Sequence, residues 1–468
     1  MKDYRNLFFV IRKQITILAI RQNLARKKYE LAIARIKSIL SSFPDDLDLL
    51  DVAQDVYAES YNSHDYYALH EHLEQLYPDS LRQKRHFGTI LIGSYRYEEA
   101  LPKLIYCVEN WYTEDEYSET LANIFARLAI CYAYLENWEL VDKSLQQATK
   151  ADIWDPDIAY AHLIQLLGTN SSAKVQAFLD SQIKQHPRLH ALYYWKALHL
   201  HKYLHDSAGS IQWYVRALNK ASSFQPGERY WKFYLSTLEY STPGRILKRV
   251  IEACVQQNKP LRALWLIYIS KFTIRDSDID IQFFRTYLNV LRNSFDVAEG
   301  KCRRMLNKNL SVADRIAYLS LLATIQSKQG KADDAILNIN KALALDSEYL
   351  ENWLALASFH LQVQDWHSAI TTYRKALKMN PFDFKSWENL GTCYISAGDL
   401  YSAQTSYEKA VQLNPFEASA WIGLANVYLK LGKTDLAISA FENGLQYDWL
   451  DSEKRKEAVQ TLEKIKSM

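Results

Sequence analysis

The chain has 468 residues, of which 24% are charged and 48% hydrophobic, with a formal net charge of +2. This is the composition of a folded chain rather than a disordered one, long enough for two or three ordinary domains or one repeat array. Near-neutrality gives no global case for a nucleic-acid or membrane-surface partner, and thirteen glycines and ten prolines leave little material for β-turns or phosphate-cradling loops, so an all-α chain is expected.

In chain order, Leu7-Phe8-Phe9-Val10-Ile11 and the apolar residues from Ile15 to Ile20 are interrupted by Arg12-Lys13, with no small-residue cleavage site after them. The run is too short and broken for a spanning helix or a signal peptide. It predicts an amphipathic helix, starting in a cap at 1–12, that docks on the rest of the chain; a membrane-surface anchor is the alternative. Degenerate helix pairs then occupy 13–261. Pro44 and Pro78, 34 residues apart, close units at 13–46 and 47–80. Further units fall at 81–114 (Phe87-Gly88-Leu91 and Ala100-Leu104-Cys107), 122–155 (Leu128-Ala129-Tyr132 and Val141-Leu145-Ala148), 156–189, 191–224 and 228–261. In the last of these, Pro243-Gly244 reads as the turn and Leu247-Ile251-Cys254 as the second-helix stripe. From 262 to 315 the helices continue without a clear frame. Regular units span 316–451, and a capping helix is expected over 452–468, where Ala458, Leu462 and Ile465 share one face.

The most regular stretch carries Trp353, Trp387 and Trp421 at an interval of 34 residues. Each opens one phrase: Trp353-Leu356-Ala357-His360, Trp387-Leu390-Gly391-Tyr394 and Trp421-Leu424-Ala425-Tyr428. These positions fall at i, i+3, i+4 and i+7, one stripe of a helix. A second stripe follows in each unit: Ala369-Tyr373-Ala376, Ala403-Tyr407-Ala410 and Ala437-Phe441-Gly444. Small residues let two backbones approach, and Trp387 is expected in the gap left by Gly391 and Ala403. Gly398-Asp399 suits a helix end followed by a helix start, and Asn380-Pro381 and Asn414-Pro415 close two units. A pair this short cannot bury its apolar face alone, so neighbours must stack.

This period and order of residues resembles the tetratricopeptide repeat. The resemblance implies a right-handed superhelical solenoid of antiparallel helix pairs, about eleven here, and a groove lined by the first helix of each pair that binds peptides or helices of partner proteins. Projected by helical spacing, that groove holds Trp195, Lys196, His199 and Lys202, then Arg229, Lys232 and Phe233, then Lys385 and Asn389, then Asn426 and Lys430. Asp48, Asp51, Asp55 and Glu59 form an acidic ridge, and Arg82, Arg85 and His86 a basic one. Some repeats of the family clamp a C-terminal carboxylate with Lys and Asn; Lys385 and Asn389 echo a fragment of that pattern, but Leu354 and Ser358 stand where the preceding unit needs Lys and Asn.

No catalytic motif stands out: no P-loop, HExxH or GxSxG. His199, His201 and His205 are the best metal candidates, with His201 and His205 at i, i+4, but no acidic or cysteine partner sits at a usual spacing. Cys107, Cys131, Cys254, Cys302 and Cys393 are odd in number and lack CxxC spacing, which fits small buried hydrophobes in a reducing compartment. The chain is therefore expected to be a cytoplasmic, non-catalytic protein-binding scaffold or adaptor, with no cofactor and no metal. Its expected partner is a protein or peptide, an acidic segment with an aromatic or aliphatic anchor held near 195–233. The alternative is a helical-repeat nucleic-acid binder using the basic and aromatic residues of that same middle region; the acidic ridge and the neutral total count against it.

Overall fold

A computed structural model of the chain describes residues 2–26, 28–59, 63–111, 121–150, 156–168, 172–221, 243–273, 281–308, 310, 312–446 and 452–466. Every regular element among the described residues is a helix. The helices form a right-handed superhelical solenoid of antiparallel pairs. Its first half comprises Lys2–Ala25 with Tyr29–Leu40, Leu47–Glu59 with Ser63–Leu76, Leu81–Gly93 with Tyr97–Glu109, Leu121–Tyr134 with Trp138–Thr149, Pro156–Gly168 with Ser172–Gln185, and His190–Lys202 with Ser207–Ala221. The second half comprises Pro243–Gln256 with Pro260–Thr273, Ile281–Leu291 with Phe295–Leu306, Val312–Lys328 with Ala332–Leu345, Leu350–Gln362 with Trp366–Met379, Phe384–Ala397 with Leu400–Leu413, and Ala418–Lys430 with Thr434–Leu445. Ser452–Lys466 follows, laying Ala458, Leu462 and Ile465 against Phe441 and Ala425.

The register of these pairs is written in one backbone feature. Tyr95, Glu136, His205, Asn258, Asn293 and Gln364, with Gly330, Gly398 and Gly432, all have positive φ. Each sits in the turn between the two helices of a pair. In eight of these turns the residue after it donates its N–H to a carbonyl five positions back, as Arg96 does to Leu91 at 2.9 Å and Asp399 to Tyr394 at 2.9 Å, while Asp206 reaches Leu200, six back, at 2.9 Å. This is the left-handed helix end that satisfies orphan carbonyls. Only three of the positions are glycine, so the turn persists where its usual residue is lost. The small residue of the second helix always follows five positions later: Ala100, Val141, Ser210, Ala369 and Ala403 are all buried.

That marker corrects the reading of 228–261. The left-handed residue is Asn258, so Pro243–Gln256 is the first helix of its pair, and Leu247, Ile251 and Cys254 are the first-helix stripe. Buried Ala263 and Ile267 supply the second stripe on Pro260–Thr273. The segment expected to lose its frame holds Ile281–Leu291 and Phe295–Leu306, shorter helices joined by the same turn at Asn293.

Tyr407, not Trp387, fills the space beside Gly391. A Cβ on Gly391 would lie 2.7 Å from the Tyr407 ring, and one on Gly423 only 2.3 Å from its other side. Trp387 is half-buried and bridges two apolar clusters. Its indole N–H donates to the Pro381 carbonyl at 2.7 Å; Trp421 does the same to Pro415 at 2.8 Å and Trp353 to Ser347 at 2.7 Å. At the same turns the side chains of Asp346, Asn380 and Asn414 accept the N–H two residues on, at 3.0, 3.1 and 3.2 Å. Each inter-unit turn is thus held twice, by an Asx bond at its start and a tryptophan clip at its end. Next, Asp383 and Asp399 cap their helices by accepting from the backbone of Ser386 and Ser402.

On Lys2–Ala25, Ile17, Ile20 and Leu24 are buried in the first core, whereas Leu18 is 72% exposed. No helix among the described residues is long and apolar enough to cross a membrane. All five cysteines are buried free thiols.

Candidate partner-binding groove

The superhelix turns back on itself, and the rigid inter-unit turns of the second half meet the first half. The receiving groove is built from the C-terminal ends of the first helices Leu121–Tyr134, Pro156–Gly168 and His190–Lys202. Leu163, Leu167, Trp195 and Tyr203 line a small cavity there of about 50 Å³, which Phe382 borders. The Phe382 ring lies edge-on to Tyr134, 5.0 Å between centroids, and 6.0 Å from Trp138. Beside it Lys202 Nζ is 3.0 Å from Asp383 Oδ1, and the same ammonium stands 5.5 Å over the Phe384 ring. Further along, His205 Nε2 is 3.4 Å from Glu417 Oε2. Two pairs run in the opposite sense, Lys409 to Glu136 at 2.8 Å and Lys378 to Glu98 at 3.6 Å.

Charge in this contact is tuned by its surroundings. Burial pushes the Asp383 carboxyl up, but Lys202 and the Ser386 hydroxyl and amide more than offset it and hold the group below the usual carboxylate range. For Glu417 burial again raises, while His205 and Ser419 lower, with a net fall. Near the first of the three turns, burial and the carboxylates of Glu348 and Asp346 push the Tyr67 phenol well up. Glu348 itself is raised, mainly by burial.

Between the halves beside this contact runs an open cleft of about 740 Å³. Arg374, Lys375 and Lys378 line one wall and Glu98, Glu99 and Glu136 the other, with Tyr95 and Tyr97 between.

The residues expected in the groove divide into five groups. Lys202 is in it, with Asp383 as its partner. Trp195 and His199 line it, but Trp195 is only 4% exposed, packed on Tyr160 with ring centroids 5.4 Å apart, and His199 stacks on Tyr203. Trp195 is therefore a core residue rather than an exposed anchor: a large ring in the middle of a first helix fills the space between neighbouring pairs. Lys196 points elsewhere, paired with Asp180 and 4.0 Å over the Trp213 ring. Arg229, Lys232 and Phe233 lie outside the described residues. Lys385, paired with Glu388 at 2.8 Å, is exposed, as are Asn426 and Lys430, while Asn389 is half-buried. These last residues are on Phe384–Ala397 and Ala418–Lys430 rather than on the helix of Lys202.

The histidine trio does not share a helical face, because the helix ends at Lys202 and His205 occupies the left-handed turn. Among the described residues no group of three or more His, Cys, Asp or Glu is placed to hold a metal ion. Of the basic ridge, His86 is half-buried and its imidazole pushed down to about 4, first by burial and then by Arg127, Arg85 and Arg82.

Phe382, Asp383, Tyr134, Trp138 and Glu417 were not singled out by their spacing, and His205 was weighed only as a metal ligand. A signal did exist: after each Asn-Pro, an aromatic and an acid recur as Phe382-Asp383 and Phe416-Glu417.

The family model matching residues 287–454 is that of the Cilia and flagella-associated protein 70 C-terminal domain, a tetratricopeptide-repeat domain. No curated protein matches the chain. Among solved structures it is similar to MamA (22% identity, covering 39% of this chain and 98% of that one, TM-score 0.33). It is similar also to TTC0263, a protein of Thermus thermophilus (20% identity, 39% of this chain and 97% of that one, TM-score 0.33). Yeast Tom70 is similar over 97% of this chain and 96% of its own, at 16% identity and a TM-score of 0.42. The matched family model, the tryptophan stripes and the recurrent left-handed turns agree: residues 287–454 form a tetratricopeptide-repeat domain.

Proposed function

We propose that the chain is a non-catalytic protein-interaction scaffold that holds a peptide or helix of a partner protein against the first helices of its repeats. The observation that supports this is the seating of residues 381–384. Groove residues from three helix pairs grip a stretch of polypeptide through one aromatic insertion and one charge pair, and a surface with that chemistry in cis suits a segment of the same kind in trans. The exposed Lys385, Asn426 and Lys430 offer a second stretch of polar first-helix surface with no segment of the chain described upon it. A reducing compartment such as the cytoplasm suits five buried free thiols.

Affinity capture from native lysate tests the reading, run with and without nuclease. Capture of protein that survives nuclease and weakens on Lys385→Glu/Lys430→Glu is the expected result. Capture abolished by nuclease would instead favour the nucleic-acid reading.

A further inference from the structure

The segment in the groove also describes what the groove selects. Its order is Asn380-Pro381-Phe382-Asp383-Phe384. Phe382 enters between Tyr134 and Trp138 beside the small cavity, the Asp383 carboxylate meets Lys202, and Phe384 lies 5.8 Å from the Tyr203 ring. An aromatic, an acid and a second aromatic thus meet a matching set of aromatics and one cation, in a fixed order along the groove. The flanking pairs Lys409–Glu136 and Lys378–Glu98 hold the two halves together without touching that set.

We infer that the groove is a binding site for a partner segment of the form aromatic–acidic–aromatic, and that the turn at 380–384 occupies it in cis until such a segment displaces it. This rests on reading the chain as a protein-binding scaffold. Two consequences separate it from a purely structural contact. The affinity for a partner is reduced by the fraction of chains in which the cis turn is seated, and loosening the contact must raise that affinity without changing the groove.

The test uses the full chain and a fluorescein-labelled pentapeptide of sequence Asn-Pro-Phe-Asp-Phe, followed by anisotropy. Phe382→Ala/Asp383→Asn empties the groove while Asn retains the capping acceptor for the Ser386 N–H. The opened chain should bind the peptide at least about tenfold tighter than the unmodified chain. Adding Lys202→Ala, or replacing the first peptide Phe by Ala, should each remove about tenfold of that affinity. Glu98→Lys/Glu136→Lys, which sets like charges against Lys378 and Lys409, opens the contact from its flanks and should give the same gain. It decides the matter if the first variant does not fold. Equal peptide affinity for opened and unmodified chains, or affinity indifferent to Lys202→Ala, overturns the inference. Lysate capture by the same proteins distinguishes the two readings: partners retained without peptide binding leave the scaffold standing, whereas loss of both removes it too.

Discussion

Lys202 Nζ and Asp383 Oδ1 lie 3.0 Å apart although 181 residues of chain separate them. No nearest-neighbour solenoid contact spans that distance, since stacked repeats touch only the next unit. The pair therefore belongs to a second level of structure, in which the array closes on itself and rigid turns become ligands for its own groove. The tryptophans are what make the turns rigid, because their indole N–H groups clip the carbonyls of Ser347, Pro381 and Pro415.

Acid should weaken the fold in two separable stages, the first within the first half of the array and the second at the closure. His86 is neutral in the fold and its imidazole is held near 4 by burial and neighbouring guanidinium groups; His70, its neighbour at 5.0 Å between ring centroids, is pushed well below its ordinary value by burial and His86. A folded value below the unfolded one means that stability is full above pH of about 6.5 and falls as pH drops toward 4. Asp383 and Glu417 are also depressed, so their contribution survives to about pH 4 and is lost only below it. Thermal unfolding by circular dichroism from pH 8 to pH 3 should show both windows. His70→Phe/His86→Phe should flatten the first and Asp383→Asn the second; a profile unchanged by either pair would contradict these assignments.

Trp387 carries both a packing role and a hydrogen bond. Because it is half-buried, Trp387→Ala should cost about 2–3 kcal/mol, less than a fully buried tryptophan. Trp387→Phe keeps most of the packing and removes the clip, for a loss of about 1 kcal/mol. Urea titration checks both. A loss from the Phe variant as large as that from the Ala variant would make the clip, not the packing, dominant.

Two glycine-to-alanine changes should have opposite signs. At Gly423 the new methyl would meet the Tyr407 ring at 2.3 Å. That ring is held by Gly391 on its other side and by a 2.9 Å bond between its hydroxyl and Thr392, so overpacking should cost about 1–3 kcal/mol. At Gly300, inside Phe295–Leu306, nothing lies within 4 Å of the added carbon, and better helix propensity should gain about 0.5–1 kcal/mol. Denaturation midpoints moving the same way for both would refute the packing described for Tyr407.

The paired helices and their stripes were legible wherever a large residue recurs at fixed spacing, as with Trp353, Trp387 and Trp421. The frame failed at Leu247-Ile251-Cys254 because apolar residues at i, i+4 and i+7 suit either helix of a pair, and only the left-handed backbone of Asn258 decides between them. Lys202 is one of several cations that spacing places on the inner helices, and the structure sets the chain's own Asp383 beside it. What local spacing could not supply is curvature, the sum of small rotations over many pairs, which brings the two together. Nor does helical projection separate Trp195, which fills space between pairs, from a residue offered to solvent.

Zero-length carbodiimide coupling tests the closure most directly, because it joins only amines and carboxylates already in contact. At dilute protein, peptide mass spectrometry should find Lys202 linked to Asp383 and Lys409 linked to Glu136. The local pairs Lys13 with Asp46 and Lys466 with Glu442, each 2.7 Å apart, serve as internal controls. Recovery of the controls with no link between the region of Lys202 and Glu136 and that of Asp383 and Lys409 would contradict a groove filled by the chain's own turn.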